Sequence, residues 1–281
     1  MENQRAHSPV PSRFLDVALD AAVLAGKEIL GLHGDSAAEK KPDESLITWA
    51  DMASDEVISE RIKRSFPEHA LVSEERYEDS RRFCAEYTWI VDPLDGTRDF
   101  VKQTGQFAVH IGLVCGTEPV LGVVYVPMTD SLYHAAPGLF AGARKICQGK
   151  SSEIHVNDCA LEDAVLILSS NKFSKEDADR AAQNFGMRRA WRSGGLGCKM
   201  MAVAEGTADV YIYERQKAHE WDTLAPDVIL RAACGRLTDY FGNSLAYNVP
   251  RTGVFTRGLV CAPEQLHGEV LKKVQSVIPL K

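Results

Sequence analysis

Apolar residues recur at helical spacing at Leu15, Leu19, Val23, Leu24, Ile29 and Leu30, which predicts an amphipathic helix over 12–33 with Ser12 as its cap. Proline and charge in the stretch from Lys40 through Pro42 to Thr48 break the pattern and read as a loop. A second helical pattern starts near Asp51 and runs through Val57, Ile58, Ile62 and Phe66. Strands are expected at 71–75 and 88–92, then as a pair at 107–115 and 120–126 joined by a turn, with another at 131–136. Past the Gly/Lys-rich stretch 142–152 the order becomes strand 164–168, helix 175–185, strand 189–191, helix 199–205, strand 208–213 and helix 222–233. A strand at 258–261 and a helix opening at Pro263 close the chain. Alternation of this kind indicates a layered α/β unit. The expected organisation is a tail over 1–12, an N-terminal α+β half over 13–150 and a C-terminal α/β half over 151–281.

Composition narrows the class. With 281 residues, 45% hydrophobic and 25% charged, the chain can bury a large core without staples. No run approaches the ~18 apolar residues of a membrane span, and the segment MENQRAHSPVPS lacks the apolar core of a secretory signal. The expectation is a cytoplasmic protein with no membrane partner. Seven cysteines, odd in number and never spaced CxxC, argue against a disulfide framework or a zinc site and read as reduced, mostly buried thiols. A net charge of −7 offers no general attraction to nucleic acid polymers, so a phosphate-bearing ligand must be held by cations concentrated in one place.

Such a place is marked by Trp89-Ile90-Val91-Asp92-Pro93-Leu94-Asp95-Gly96-Thr97, where an apolar run ends in two carboxylates three positions apart. Pro93 pushes Asp92 toward an extended conformation and Gly96 permits a sharp turn. The following Arg98-Asp99-Phe100-Val101 can open a helical turn whose free N–H groups suit phosphate oxygens. Two further acid groups, Glu74-Glu75 and Glu220-Trp221-Asp222, also fall at element ends. Oxygen-only ligands favour Mg²⁺ or Mn²⁺ over zinc, and two such ions can clamp a phosphoryl group and activate a water. Glu74 or Asp222 alone, and Asp51 as well, could equally be helix caps or solvated acids; DPLDGT is a poor sequence for a mere turn.

The set VSEE, WIVDPLDGT and EWDTLAP resembles the inositol monophosphatase superfamily of Mg²⁺-dependent, lithium-sensitive phosphatases, over nearly the whole chain from Phe14. The resemblance implies an α/β (α+β) fold, a layered α/β/α/β/α sandwich of the inositol monophosphatase and fructose-1,6-bisphosphatase type. It implies two or three Mg²⁺ ions, with Mn²⁺ as a substitute, held by Glu74, Asp92, the Leu94 carbonyl, Asp95 and Asp222, with Asp92 bridging. Thr97 and Asp51 would orient the attacking water, with Glu74 beside them as a catalytic residue, and Asp95, Gly96, Thr97, Gly195 and Asp222 would contact a small phosphorylated metabolite. The resemblance also allows a homodimer. DPLDGTRDF, KMMAVAEGTADVY, EWDT and Leu245-Ala246-Tyr247-Asn248 are most similar to the 3'(2'),5'-bisphosphate nucleotidase branch, which removes the 3'-phosphate of adenosine 3',5'-bisphosphate. The segment Tyr213–His219 departs from that branch, which typically has an R-F-G-P-like stretch there; Arg215 and Lys217 supply basic groups for a second phosphate. Inositol monophosphate and histidinol phosphate are the alternative substrates, and a non-catalytic phosphometabolite-binding protein is the alternative of another class.

Several features admit two readings. Ser193-Gly194-Gly195-Leu196-Gly197 is either a phosphate-approaching loop or a plain turn into a helix. Lys41 and Lys199 could reach phosphate, although solvation is the commoner fate of a lysine. His110 alternates within a strand pattern and reads as packed, and His219 stands near the leaving-group side; neither is assigned a role.

Overall fold

The structure, a computed structural model, describes residues 11–34, 37–42, 44–76, 79–214, 217–250 and 253–278. Arg215 and all but the last two residues of the expected tail lie outside them. The elements in chain order are α1 (Ser12–Gly31), β1 (Ala38–Lys40), β2 (Leu46–Thr48), α2 (Trp49–Ser65), β3 (Ala70–Ser73), β4 (Tyr87–Asp95), α3 (Thr97–Val101), β5 (Ala108–Cys115), β6 (Glu118–Val126), β7 (Ser131–Ala135), β8 (Ala143–Cys147) and β9 (Lys150–Ile154). There follow β10 (Val165–Ser169), α4 (Lys175–Phe185), β11 (Arg189–Ser193), α5 (Leu196–Ala204), β12 (Val210–Tyr213), β13 (Ala218–His219), α6 (Glu220–Ala232), β14 (Gly235–Asp239), β15 (Val254–Phe255), β16 (Leu259–Pro263) and α7 (Glu264–Val277).

Strands β3 to β9 form a seven-stranded sheet in sequence order, and a five-stranded sheet runs β11-β10-β12-β16-β14. Period-two alternation sorts their side chains into three cores. On β4, Trp89 and Val91 pack under α1 and α2, while Ile90 faces the other way, into the core shared with α5 and α6. On β12, Tyr211 joins that middle core, while Val210 and Ile212 pack with Ala178, Phe185 and Leu266 of α4 and α7. The layers are therefore α/β/α/β/α.

The loop expected at 40–48 contains the antiparallel β1–β2 pair, too short and too charged to show a strand pattern. The boundary expected near residue 150 falls inside the β8–β9 hairpin, whose register runs to Ala143↔Ile154. The stretch contains the turn of a hairpin, whose glycines and lysines read as the boundary between halves. Ser12 is the first residue of α1 rather than its cap, which is Pro11. Of the seven free cysteines only Cys261 is fully buried, and Cys84 and Cys234 are exposed. No helix among the described residues is long and apolar enough to cross a membrane.

Candidate active site

Strand β4 does not stop at Asp92. It continues through Pro93 to Asp95, with a register shift against β5 between the two acids, a local irregularity that tolerates a proline lacking its N–H. Asp92 and Asp95 thereby reach the same side, and the Ser54 hydroxyl of α2 donates to the Pro93 carbonyl at 2.7 Å to pin the segment. Gly96 then turns the chain with φ 92°, a left-handed conformation open to glycine.

Asp222 arrives on the first turn of α6. Its carboxylate accepts the His219 backbone N–H at 2.5 Å. One oxygen each of Asp92, Asp95 and Asp222 lies within 4.8 Å of the others. Burial pushes the Asp92 carboxyl well above the usual carboxylate range, and the charges of Glu74, Asp95 and Asp222 add to it. Asp222 is raised too, by burial and then by Glu74. Three acids held together against such a penalty, with no thiol or imidazole in the group, form a donor set suited to a hard divalent cation, and the residues fit Mg²⁺.

The other expected site residues are distributed as follows. Thr97 donates its hydroxyl to Asp51 at 3.0 Å and lies 3.3 Å from the Leu94 carbonyl oxygen. Asp51 accepts the backbone N–H and the hydroxyl of Thr48 through its other oxygen, at 2.7 and 2.6 Å. It is both a helix cap and the partner of Thr97, so its two readings are compatible. Burial raises the Asp51 carboxyl above its usual range although the hydrogen bonds from Thr48 and Thr97 oppose this. Glu74 is a near neighbour of the three aspartates, close enough for its charge to raise Asp92 and Asp222, but its carboxylate takes the Lys41 ammonium at 3.0 Å, which Glu75 shares at 2.6 Å.

Asp95 has a second task that its sequence context did not reveal. Its two oxygens accept the backbone N–H groups of Leu196 and Gly197 at 3.0 and 2.7 Å, capping α5 from across the middle layer. Gly195 makes the approach possible, since a Cβ there would sit 2.4 Å from Asp95 Oδ2. The glycine run is thus the seat of a carboxylate. Lys199, expected in solvent, is buried; its ammonium bonds the Gly194 and Gly195 carbonyls, the latter at 2.7 Å, over the Tyr211 ring. His110 is packed as expected, fully buried and 3.5 Å from Asp95. Glu220, grouped with Asp222 by sequence, faces elsewhere: it pairs with buried Arg82, and its other oxygen accepts the Asn248 backbone N–H at 2.8 Å. Arg82 carries no local signal, because its partner is 138 residues away.

Above this floor opens a cleft of about 910 Å³, lined by Thr97, Asp222, Lys217, Tyr213 and Trp221 among others. A model of the inositol monophosphatase family matches residues 11–278. The chain belongs to the inositol monophosphatase family. Its curated relatives include a protein named fructose-1,6-bisphosphatase/inositol-1-monophosphatase from Aquifex aeolicus, 34% identical over 236 residues that cover 80% of this chain and 85% of the relative. The 3'(2'),5'-bisphosphate nucleotidase CysQ of Salmonella typhimurium is 34% identical over 221 residues, 78% of this chain and 86% of its own. The crystal structure of CysQ from Bacteroides thetaiotaomicron, described as a bacterial member of the inositol monophosphatase family, superposes with TM-score 0.74 at 30% identity, covering 90% and 97% of the two chains. Family membership accounts for the five layers.

Proposed function

We propose that this chain is a Mg²⁺-dependent phosphomonoesterase that removes the 3'-phosphate of adenosine 3',5'-bisphosphate, working in the cytoplasm. The observation that carries the reading is the convergence of Asp92, Asp95 and Asp222 within 4.8 Å at the floor of the cleft. Bound there, Mg²⁺ supplies charge neutralisation for the phosphoryl oxygens and acidity for a water nucleophile. Asp92, Asp95, Asp222 and the Leu94 carbonyl would hold it, and Glu74 would join them by releasing Lys41. The family's general Mg²⁺ dependence supports this assignment.

The chain's own residues do the rest. Thr97, fixed by Asp51, presents a hydroxyl oxygen that can take a proton from a water beside the aspartates as it passes its own proton to the Asp51 carboxylate that it already faces. The N–H groups at the start of α3 belong to residues that line the same cleft, where they would be open to a phosphoryl oxygen. Asp95 links the metal-holding turn to α5, so Gly195 and the helix start keep their place relative to the reacting phosphate.

The nucleotide substrate is supported by the similarity to CysQ nucleotidases. An inositol phosphate is favoured by the relative named for inositol-1-monophosphatase, at the same identity. Phosphate release from adenosine 3',5'-bisphosphate, inositol 1-phosphate, histidinol phosphate and fructose 1,6-bisphosphate under one Mg²⁺ condition decides between them. The nucleotide should show the highest kcat/KM, and lithium should inhibit. A higher value for inositol 1-phosphate would transfer the reading to that substrate; no Mg²⁺-dependent release from any would remove it.

A further inference from the structure

Beside the aspartates the cleft wall carries a pair of rings. His219 and Trp221 stack face to face, with centroids 4.4 Å apart and planes 7° from parallel, and both line the cleft. Tyr213 lines the same wall, edge-on to Tyr211 with centroids 6.4 Å apart. Residues that recognise only hydroxyls and a phosphate have no need of such a surface; a planar base does, because every base has a π-face that stacks on an aromatic ring.

The pair is held rigid from below. The His219 backbone N–H donates to Asp222 at 2.5 Å, and its carbonyl accepts the Thr223 hydroxyl at 3.1 Å. Strand β13 pairs His219 with Val254 of β15. The position of the rings is therefore set by the same backbone that places Asp222. Trp221 immediately precedes Asp222 and lines the same cleft, so the leaving group of a phosphoester seated at the aspartates would lie beside it.

We propose that the His219–Trp221 stack is a shelf for an aromatic base, and that His219 determines selectivity for phosphomonoesters whose leaving group carries one. The proposal rests on the phosphomonoesterase reading and deepens it by naming the class of leaving group. His219 acts here through its ring face; its side chain also accepts the Asp222 backbone N–H in a capping box, a contact that serves every substrate alike, so the ratio between two substrates separates the shelf from the cap.

The test compares wild type, His219→Ala and His219→Phe on adenosine 3'-phosphate and inositol 1-phosphate with Mg²⁺. Removing the ring should lower the ratio of kcat/KM for adenosine over inositol ester about tenfold, chiefly through KM, in line with the stacking of one base. Phenylalanine should restore most of the ratio. Equal losses on both substrates in His219→Ala would overturn the proposal and leave His219 as a support for Asp222. Phosphate release from neither substrate by wild type would defeat the phosphomonoesterase reading. The shelf would then be judged by calorimetry of adenosine 3'-phosphate with the Mg²⁺-equilibrated proteins: about tenfold weaker binding to His219→Ala supports it, and unchanged affinity overturns it.

Discussion

Glu220 and Asp222 stand two residues apart on the first turn of one helix, yet the protein treats their charges in opposite ways. Glu220 is met by the Arg82 guanidinium and the Asn248 backbone N–H, and Asn248 also ties the Arg82 and Gly116 carbonyls through its side-chain amide at 3.0 and 2.7 Å. Asp222 is met by two more aspartates. The first acid is neutralised within the chain; the second belongs to a group of three acids whose charge, under the proposed function, a cation from outside would meet. A buried acid with its own cation locks segments of structure, here the 3₁₀ turn at Ser80–Phe83 and the loop at Asn248, whereas buried acids without one make a binding site.

The largest expected effect breaks the second half of that contrast. Asp222→Asn keeps an oxygen to accept the His219 N–H and removes the charge, so turnover should fall by orders of magnitude while the fold survives. Wild type should gain thermal stability on adding Mg²⁺, and Asp222→Asn should lose that gain. A Mg²⁺-dependent Tm shift that persists in this variant would refute the assignment. Asp95→Asn is a poorer test, because both Asp95 oxygens accept helix N–H groups and an amide would turn a donor toward one of them. That variant should lose stability as well as activity.

Next comes the hydroxyl that serves the site without belonging to the acid cluster. Thr97→Val should lower kcat by roughly 10²–10⁴, the usual contribution of a positioned proton acceptor, with little change in KM. A collapse of affinity with turnover intact would make Thr97 a substrate clamp instead.

The structural half of the contrast predicts a loss of another kind. Arg82→Leu leaves Glu220 buried and unpaired, which should cost about 3–5 kcal/mol in chemical denaturation. The Mg²⁺-induced gain in Tm should remain, since Asp92, Asp95 and Asp222 keep their places. If Arg82→Leu also abolishes that gain, the two clusters are one unit and the contrast drawn between them fails.

How these clusters read in the sequence differs for a physical reason. DPLDGT was legible because its chemistry is local: a proline, a glycine and two acids specify a turn and a charge by themselves. Asp51 was legible as a helix cap for the same reason, but Thr48, its partner in the capping box, reads in the sequence as the end of the preceding loop. Lys199 was not legible: its carbonyl partners lie only four and five residues back, but its burial depends on packing over Tyr211 of a later strand, which the local sequence does not show. Arg82 was not either, its partner lying on an element from the other half of the chain. The strands of the large sheet announced themselves by their apolar residues except β8 and β9, an edge hairpin in which half of the residues are exposed and four are charged, so that it reads as a boundary between halves.

His134 offers a third way to hold an ionisable group inside, which is to discharge it. It lies on β7, buried, with Phe140 edge-on at 5.5 Å and Arg144 nearby on β8, away from both acid clusters. Burial first and the Arg144 charge second push its imidazole down to about 4. The ordinary value is 6.5, so as pH falls below about 6.5 the unfolded chain takes up a proton that the folded chain refuses, and stability falls with it until about pH 4. The contribution is roughly 3 kcal/mol at most, since one pKa unit corresponds to about 1.4 kcal/mol. Urea unfolding at steps from pH 7 to pH 4, in chelator to remove the metal contribution, should show a steeper loss for wild type than for His134→Leu, which has no proton to refuse. Parallel curves would show that the imidazole titrates in the fold as it does in water, so that burial next to Arg144 does not discharge it.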